Sequence, residues 1–506
     1  MRFRKAPERA LVSLAFTRAR VSGLANSSGA GASFGGPGTR LDMKTDLNRQ
    51  SRMMSLKRLT GLDRAIAFTV IARFWAALAG SITILLIARF LSPNEQGYYY
   101  TFYSLVALQI VFELGFSFVI LQLAAHERAS LSFETNGTVT GNPIAHSRLA
   151  SVLQKAVRWY SSAGLLMAAV LIPVGFVFFK THQIAGAPVT WRAPWCLLVI
   201  AAMLAFQIDP VFSFLEGCGF VTEVAHRRLS QAILGSFLAW AALLTHHGLY
   251  SPAMVILGQV AVGLAFLVSP RHRRLLKDLL SYPARVHFVG WRREIWPFQW
   301  RIAISWVCGY FIFQIFTPIL FAFQGPIVAG QMGMSLNISA AIGSVALAWM
   351  NTKASPFGAL VARGHFAELD RLFFRTLIQS TVLLIIGASV FFGCLVLAEH
   401  RFPTLANRVL TPWAFSLLLV NTVFSHVVFS EALYLRAHKQ EPFLAPTVIS
   451  ATLIGILAFF LGKYYGADAV VLGLFAQSLL FGLPSGTYVF ITKRKLWHQE
   501  CPGATG

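Results

Sequence analysis

Five ionisable side chains stand inside long apolar stretches of this chain: Arg73, Glu113, Asp209, His426 and Glu431. A lone charge in such a run is expensive to leave facing lipid, so these groups turn towards protein or water and mark functional positions. Arg73 lies nine residues in from Arg64, and Glu113 ten residues before Leu123. At helical rise both sit about 13–15 Å from the same edge of an apolar layer. Opposite charges at one level on adjacent antiparallel helices make either a structural ion pair or two walls of a polar cavity, and both readings stand. Spacing adds detail. Gln109, Glu113 and Ser117 recur at i, i+4 and i+8, and Asp209, Ser213 and Glu216 at i, i+4 and i+7. Arg73, Ala77 and Gly80 form a stripe that leaves room beside the guanidinium. Each residue also has a plainer reading: Asp209 as a hydrogen-bonded fold determinant, His426 as a packed histidine, Glu431 and Glu216 as caps or interfacial side chains. All five charges fall in the same half of the apolar layer, as the floor of a cavity opening to one side would require.

The elements that must carry these groups are helices. The chain has 506 residues, of which 56% are hydrophobic and 12% charged, against about 25% charged in an ordinary soluble protein. Twelve apolar spans follow one another, at roughly 65–88, 98–122, 159–179, 193–215, 229–245, 252–269, 302–323, 327–350, 376–398, 412–435, 444–462 and 467–491. Apolar runs of this length cross a bilayer core of about 30 Å. Lipid offers no partner to open backbone groups, so helices are required, and the runs are too continuous for barrel strands. The expectation is an all-α membrane protein of about twelve transmembrane helices in two six-helix bundles, 64–269 and 300–491. The bundles are joined by a connector at 270–299 and followed by a tail at 492–506. Residues 1–63 read as a basic disordered tail or as an over-extended start ahead of Met43, Met53 or Met54; an organellar transit peptide has a similar composition.

Charge fixes the orientation. Of 43 Lys and Arg, 36 fall in the segments on the side of both termini, six in the opposite connections, and only Arg73 within a span. The positive-inside rule therefore puts both termini in the cytoplasm. It also accounts for the net charge of +23 without nucleic acid, as an orientation signal with some attraction to anionic membrane lipid. The connector carries Arg271-His-Arg-Arg274 and Trp291-Arg-Arg-Glu-Ile-Trp296, an interfacial amphipathic pattern. Pro173, Pro210 and Pro318 lie inside spans, where proline kinks a helix. The five cysteines (196, 218, 308, 394 and 501) form no disulfide framework and no metal spacing. No Walker motif is present, no cofactor is implied, and the short external connections leave no room for the catalytic domain of a glycan polymerase or ligase. A weak internal echo supports the halving: Pro93 and Gly97 after the first span match Pro326 and Gly330 after the seventh.

The run Ala88-Arg-Phe-Leu-Ser-Pro-Asn-Glu-Gln-Gly-Tyr-Tyr-Tyr-Thr-Phe, with Phe112-Glu-Leu-Gly115 and Ala125-His-Glu127, resembles the first hairpin of polysaccharide-export and O-antigen (Wzx-type) flippases. These belong to the multidrug/oligosaccharidyl-lipid/polysaccharide (MOP) flippase superfamily. Tyr310-Phe-Ile-Phe-Gln314, Gly330-Gln-Met-Gly-Met334 and Lys353-Ala-Ser-Pro356 resemble the start of that family's second half. The resemblance implies two bundles around a central cavity in a bacterial inner membrane. It implies alternating access that moves a lipid-linked saccharide, usually on undecaprenyl diphosphate, from the cytoplasmic to the periplasmic leaflet. Under it, Arg73 and Gln314 meet the substrate, Arg301 and Lys353 draw its diphosphate into the inner mouth, and Glu113, Asp209, Glu431 and His426 handle a coupling proton or sodium ion. Glycan-assembly proteins are its expected partners. The rivals are a cation-coupled drug exporter on the same fold, a membrane glycan polymerase or ligase, and a scaffold for a glycan-assembly complex.

Overall fold

The computed structural model describes residues 39–134, 137–183, 189–283, 287–438 and 442–499, with side chains from Arg64 onwards. The chain divides into two units, 1–60 and 61–506. The first is helical from Thr39, where the sequence suggested a disordered tail; residues 1–38, with the question of the true start, lie outside the described residues. All that follows concerns the second unit.

Its first half comprises the part of α1 (Thr39–Phe90) from residue 61 on, α2 (Pro93–Val106), α3 (Gln109–Glu113), α4 (Phe116–Arg128), α5 (Pro143–Thr181), α6 (Arg192–Gly217), α7 (Val221–Leu244) and α8 (Ser251–Val268). A two-stranded antiparallel hairpin, β1 (Leu131–Phe133) and β2 (Val139–Gly141), fills the loop after α4. The connector contains α9 (Pro270–Ser281), whose buried stripe is His272, Leu275 and Leu279, and a π turn at Trp291–Ile295. The second half comprises α10 (Trp296–Phe313), α11 (Phe316–Gln324), α12 (Pro326–Asn351), α13 (Ala354–Arg363), α14 (Phe366–Arg401), α15 (Pro403–Ala406), α16 (Pro412–Ala437), α17 (Leu444–Tyr464), α18 (Ala467–Gln477) and α19 (Leu483–Gln499). Starts are set by local chemistry. Ser92 caps α2 in a reciprocal pair with Glu95 ahead of Pro93, and Asn142 and Thr411 accept from backbone amides ahead of Pro143 and Pro412.

Among the described residues nine helices are long and apolar enough to cross a membrane, eleven if two bent pairs each count as one span. Helix α7, with Glu223, Arg227 and Arg228 in its first turns, falls short of that test and makes the twelfth of the expected set. The two bends have separate causes. Between α3 and α4 the chain turns by 46° at Leu114 and Gly115, both left-handed at φ 51° and 67°; a leucine there is strained by roughly 1–3 kcal/mol. Between α10 and α11 it turns by 41°, where Pro318 supplies no N–H to the Gln314 carbonyl. Pro173 and Pro210 lie within α5 and α6.

Helix α1 is fastened to the rest by side chains of α7. Trp75 and Trp240 donate to Ser236 (3.4 Å) and Thr83 (2.9 Å), and Trp75 packs on Phe237 and Trp240. The end that carries α9 and α13, here the connector end, is clamped by ion pairs. Arg148 holds Glu127 at the foot of α4 (2.8 Å) and Glu294 of the connector (2.5 Å). In the second half Arg494 holds Asp370 (2.5 Å), which also accepts from Tyr434 (2.7 Å) above a buried cluster of Met350, Phe357, Phe373 and Phe490.

Candidate functional site

The two halves meet most tightly at the end opposite the connector. There α2 crosses α12 backbone to backbone at Gly97 and Gly330. A β-carbon on Gly97 would stand 2.0 Å from the Pro326 carbonyl oxygen, one on Gly330 2.9 Å from the Gly97 nitrogen, and one on Gly333 2.4 Å from Tyr100 Cβ. The echoed pairs Pro93/Gly97 and Pro326/Gly330 thus open the two helices that cross, and their glycines are what allow the approach. Buried Gln96 locks the seam. Its Nε2 donates to Gly330 O (2.9 Å) and Arg408 O (2.8 Å), while Arg408 donates to Gln96 Oε1 (3.3 Å) and Leu91 O (2.7 Å).

Towards the connector end the same helices part. Helix α2 is buried along most of its length, whereas α3 has no buried residue. Helix α12 buries Pro326, Ala329, Gly330 and Met332–Ser335, then presents Asn337, Ala341, Ser344 and Asn351 as an exposed stripe at i, i+4, i+7 and i+14. Small and amide-bearing residues on a mid-layer face suit a wet surface better than lipid. The geometry is a cleft sealed at the far end and open at the connector end. Contacts cross it on one side: Gly115, at the α3–α4 bend, rests against Ile302 of α10, 2.4 Å from where its β-carbon would be, and Phe116 packs on Trp291 of the connector.

Polar groups cluster in the first half. Ser117 donates to Glu113 Oε1 across the bend (2.5 Å), so the stripe expected at 109, 113 and 117 holds for its last two members. Tyr160 stands beside Glu113, and Asp209 lies within its electrostatic reach. Asp209 is 64% exposed and accepts from Arg227 (3.0 Å), which is only 4% exposed, with its guanidinium 3.0 Å from the centre of the Phe212 ring. The expected partnership of Arg73 with Glu113 does not form. Arg73 is exposed, on the side of α1 turned away from α7, with no hydrogen bond or ion pair among the described residues. Glu216 pairs with Arg228 (2.6 Å) near the connector end, in keeping with its interfacial reading.

In the second half His426 is buried and shares a hydrogen bond with Ser380 Oγ (2.9 Å); its Nδ1 has no partner. Glu431 is 3% exposed, accepts from Thr487 of α19 (2.9 Å), and leaves Oε2 unpartnered. The reading of Glu431 as a cap or interfacial side chain is therefore corrected: it is buried between helices, with Thr487 of α19 packed on its carboxylate. Gln314 sits at the α10–α11 bend, where Ser104 of α2 donates to its Oε1 at 3.4 Å. Arg301 is exposed beside Trp300, and Lys353 precedes α13, half-buried. No hydrogen bond joins Arg73, Arg301, Gln314 and Lys353 to one another among the described residues.

Arg227 and Arg408 are the residues that sequence reasoning missed. Both lie outside the expected spans, Arg227 because the expected span 229–245 begins eight residues after the start of α7. The signal for Arg227 was its spacing to Gln231, which donates to Gln259 O of α8 (2.7 Å) from the same helix face. No equivalent signal marked Arg408.

No family model and no curated protein matches this sequence. The fold nevertheless resembles those of solved MATE and MOP superfamily transporters. It matches the eukaryotic MATE transporter AtDTX14 (TM-score 0.55, 13% identity, 88% of this chain and 98% of that one). It matches the lipid II flippase MurJ in an inward closed conformation (0.51, 12%, 84% and 87%). It also matches an inward-facing MATE multidrug transporter of the superfamily (0.51, 14%, 82% and 99%). An outward-facing MATE structure scores alike, at 0.52, so the state of this chain is read from its own seam and cleft.

Proposed function

We propose that the protein is a flippase that moves a lipid-linked saccharide precursor across a bacterial inner membrane by alternating access, with both termini in the cytoplasm. One observation carries the reading: α12 is sealed against α2 at Gly97 and Gly330, yet exposes an amide-bearing face towards the connector end. A vestibule of that shape accepts a polar headgroup from the cytoplasmic side. Arg73, exposed and without a carboxylate partner, is the cation for its diphosphate, with Arg301 and Lys353 at the mouth and Gln314 at the bend. Glu113 and Asp209 are candidates for a coupling proton or sodium ion, as are His426 and Glu431, each of which keeps one unpartnered polar atom. The domain limits 64–269, 270–299 and 300–491 and association with glycan-assembly proteins belong to the same reading.

The test is the leaflet location of lipid-linked glycan in a strain lacking the gene, complemented with wild type or Arg73→Ala. Glycan should accumulate in the cytoplasmic leaflet without the gene, and Arg73→Ala should restore little export. Periplasmic appearance at the normal rate in the deletion strain refutes the reading. The acid-bearing Glu113–Asp209 cluster, in which Asp209 is exposed, favours a second reading, cation-coupled drug export, in which Arg73→Ala leaves drug resistance intact.

A further inference from the structure

A second polar cavity lies on the connector face, away from the cleft. Its volume is about 490 Å³, and it is lined by Arg128, Ser132, Gly219, Thr222, Glu223 and Arg271, with Phe220 as a wall. Three elements build it: the foot of α4, the turn from α6 into α7, and the start of α9, where the Arg271-His-Arg-Arg274 motif falls. The β-hairpin closes the rim. Gly137 sits so near α9 that a β-carbon would lie 2.5 Å from the Arg271 carbonyl, and Phe133 packs edge-on against Phe220.

The charge balance is positive and directed. Both Glu223 oxygens are occupied, one by Arg271 Nη1 (3.0 Å) and the other by His272 Nε2 (2.8 Å). Arg271 also lies over the Phe220 ring. Among the described residues Arg128 has no carboxylate partner. Its guanidinium lies directly over Gly219, where a β-carbon would fall 2.1 Å from Arg128 Cζ; that glycine is left-handed at φ +93°. The turn thus carries no side chain where the guanidinium rests. Helix α7, 24 residues long, begins at the cavity wall, and the first amides of a helix have no partner within it. An Arg fork, a hydroxyl from Ser132 and a helix N-terminus together favour an anion with several acceptor oxygens over a single carboxylate.

We propose that the Arg128–Gly219–Arg271 cavity binds a phosphate group, either of an anionic phospholipid at the membrane surface or of a soluble phosphate. The site needs no transport and is independent of the cleft.

The experiment is lipid retention by the purified full-length protein, measured by native mass spectrometry with phosphatidylglycerol or phosphatidylcholine in the micelle. Wild type should retain phosphatidylglycerol preferentially. Arg128→Gln should lower that retention about tenfold or more, and Arg128→Lys, which keeps charge but loses the fork, should fall between. Displacement of bound phosphatidylglycerol by millimolar inorganic phosphate identifies a soluble phosphate as a sufficient ligand; resistance to it identifies the lipid. Equal retention of the two lipids by wild type, or undiminished phosphatidylglycerol retention by Arg128→Gln, overturns the proposal. If Arg128→Gln does not fold, the lysine variant decides, since an unchanged lipid preference there removes the fork from the site.

Discussion

The seam between α2 and α12 is the place to test whether the cleft alternates. Gly97→Ala adds one methyl group whose carbon would stand 2.0 Å from Pro326 O, 2.5 Å from its carbonyl carbon and 2.7 Å from its Cα, where ordinary contact begins at 3.4 Å. All three atoms are backbone, so no side chain can swing aside. The helices must separate by about 1.4 Å or more, and forcing an extra carbon into a packed interface costs about 1–3 kcal/mol. Only the conformation with the far end closed bears that cost. If a second conformation with the far end open exists, its population rises by about 5- to 150-fold. The assay is labelling of Met334→Cys, a seam position 2% exposed, by a membrane-impermeant maleimide applied from the far side, with the native cysteines replaced by serine. Adding Gly97→Ala should raise the labelling rate at least fivefold. The reasoning is refuted if labelling stays unchanged while the unfolding midpoint drops, because the methyl would then have strained a seam that never opens.

Two further outcomes follow from the ion pairs. Asp209→Asn leaves the buried Arg227 guanidinium with the Phe212 ring and a weaker acceptor; since Asp209 is well exposed, the cost is about 1–2 kcal/mol, and Asp209→Asn with Arg227→Met should recover most of it in thermal unfolding. The Glu223 carboxyl is held below the usual carboxylate range, first by the hydrogen bond from His272 and then by Arg271, against the opposing effect of burial. A depressed folded value stabilises the protein above the ordinary carboxylate pKa, and that stability is lost as pH falls through the folded value. The gap in unfolding midpoint between wild type and Glu223→Gln should therefore be full at neutral pH and close on acidification below about pH 4.

Much of the architecture was legible because hydropathy in lipid is a strong and nearly one-dimensional signal. The spans, their helical nature and the Pro93/Gly97 echo could all be read along the chain. Rotation and contact could not. The depth match of Arg73 and Glu113 was a matter of counting residues, but it gave no azimuth: Arg73 points away from α7, while the left-handed Leu114 and Gly115 re-aim the chain just after Glu113. Arg227 escaped because two adjacent arginines pull a hydropathy window down, although packing against Phe212 and Asp209 lets one of them sit inside. Glu431 looks interfacial when its depth is counted along its own span, about five residues from the end; the packing of α19 through Thr487 decides its burial. The Gln96–Arg408 lock joins residues 312 apart in sequence, and neither residue type declares such a partner.

The way α1 is fastened has its own consequence. Tilted aromatic contacts and two side-chain hydrogen bonds hold it to α7, so separating it from its neighbour would break no helix ladder. Under the proposed function, parting along that edge would open the vestibule sideways to the hydrocarbon. A passenger anchored by a long isoprenoid tail could then leave the tail among the lipids while only its sugar end travelled inside, making the length of the tail nearly irrelevant to passage.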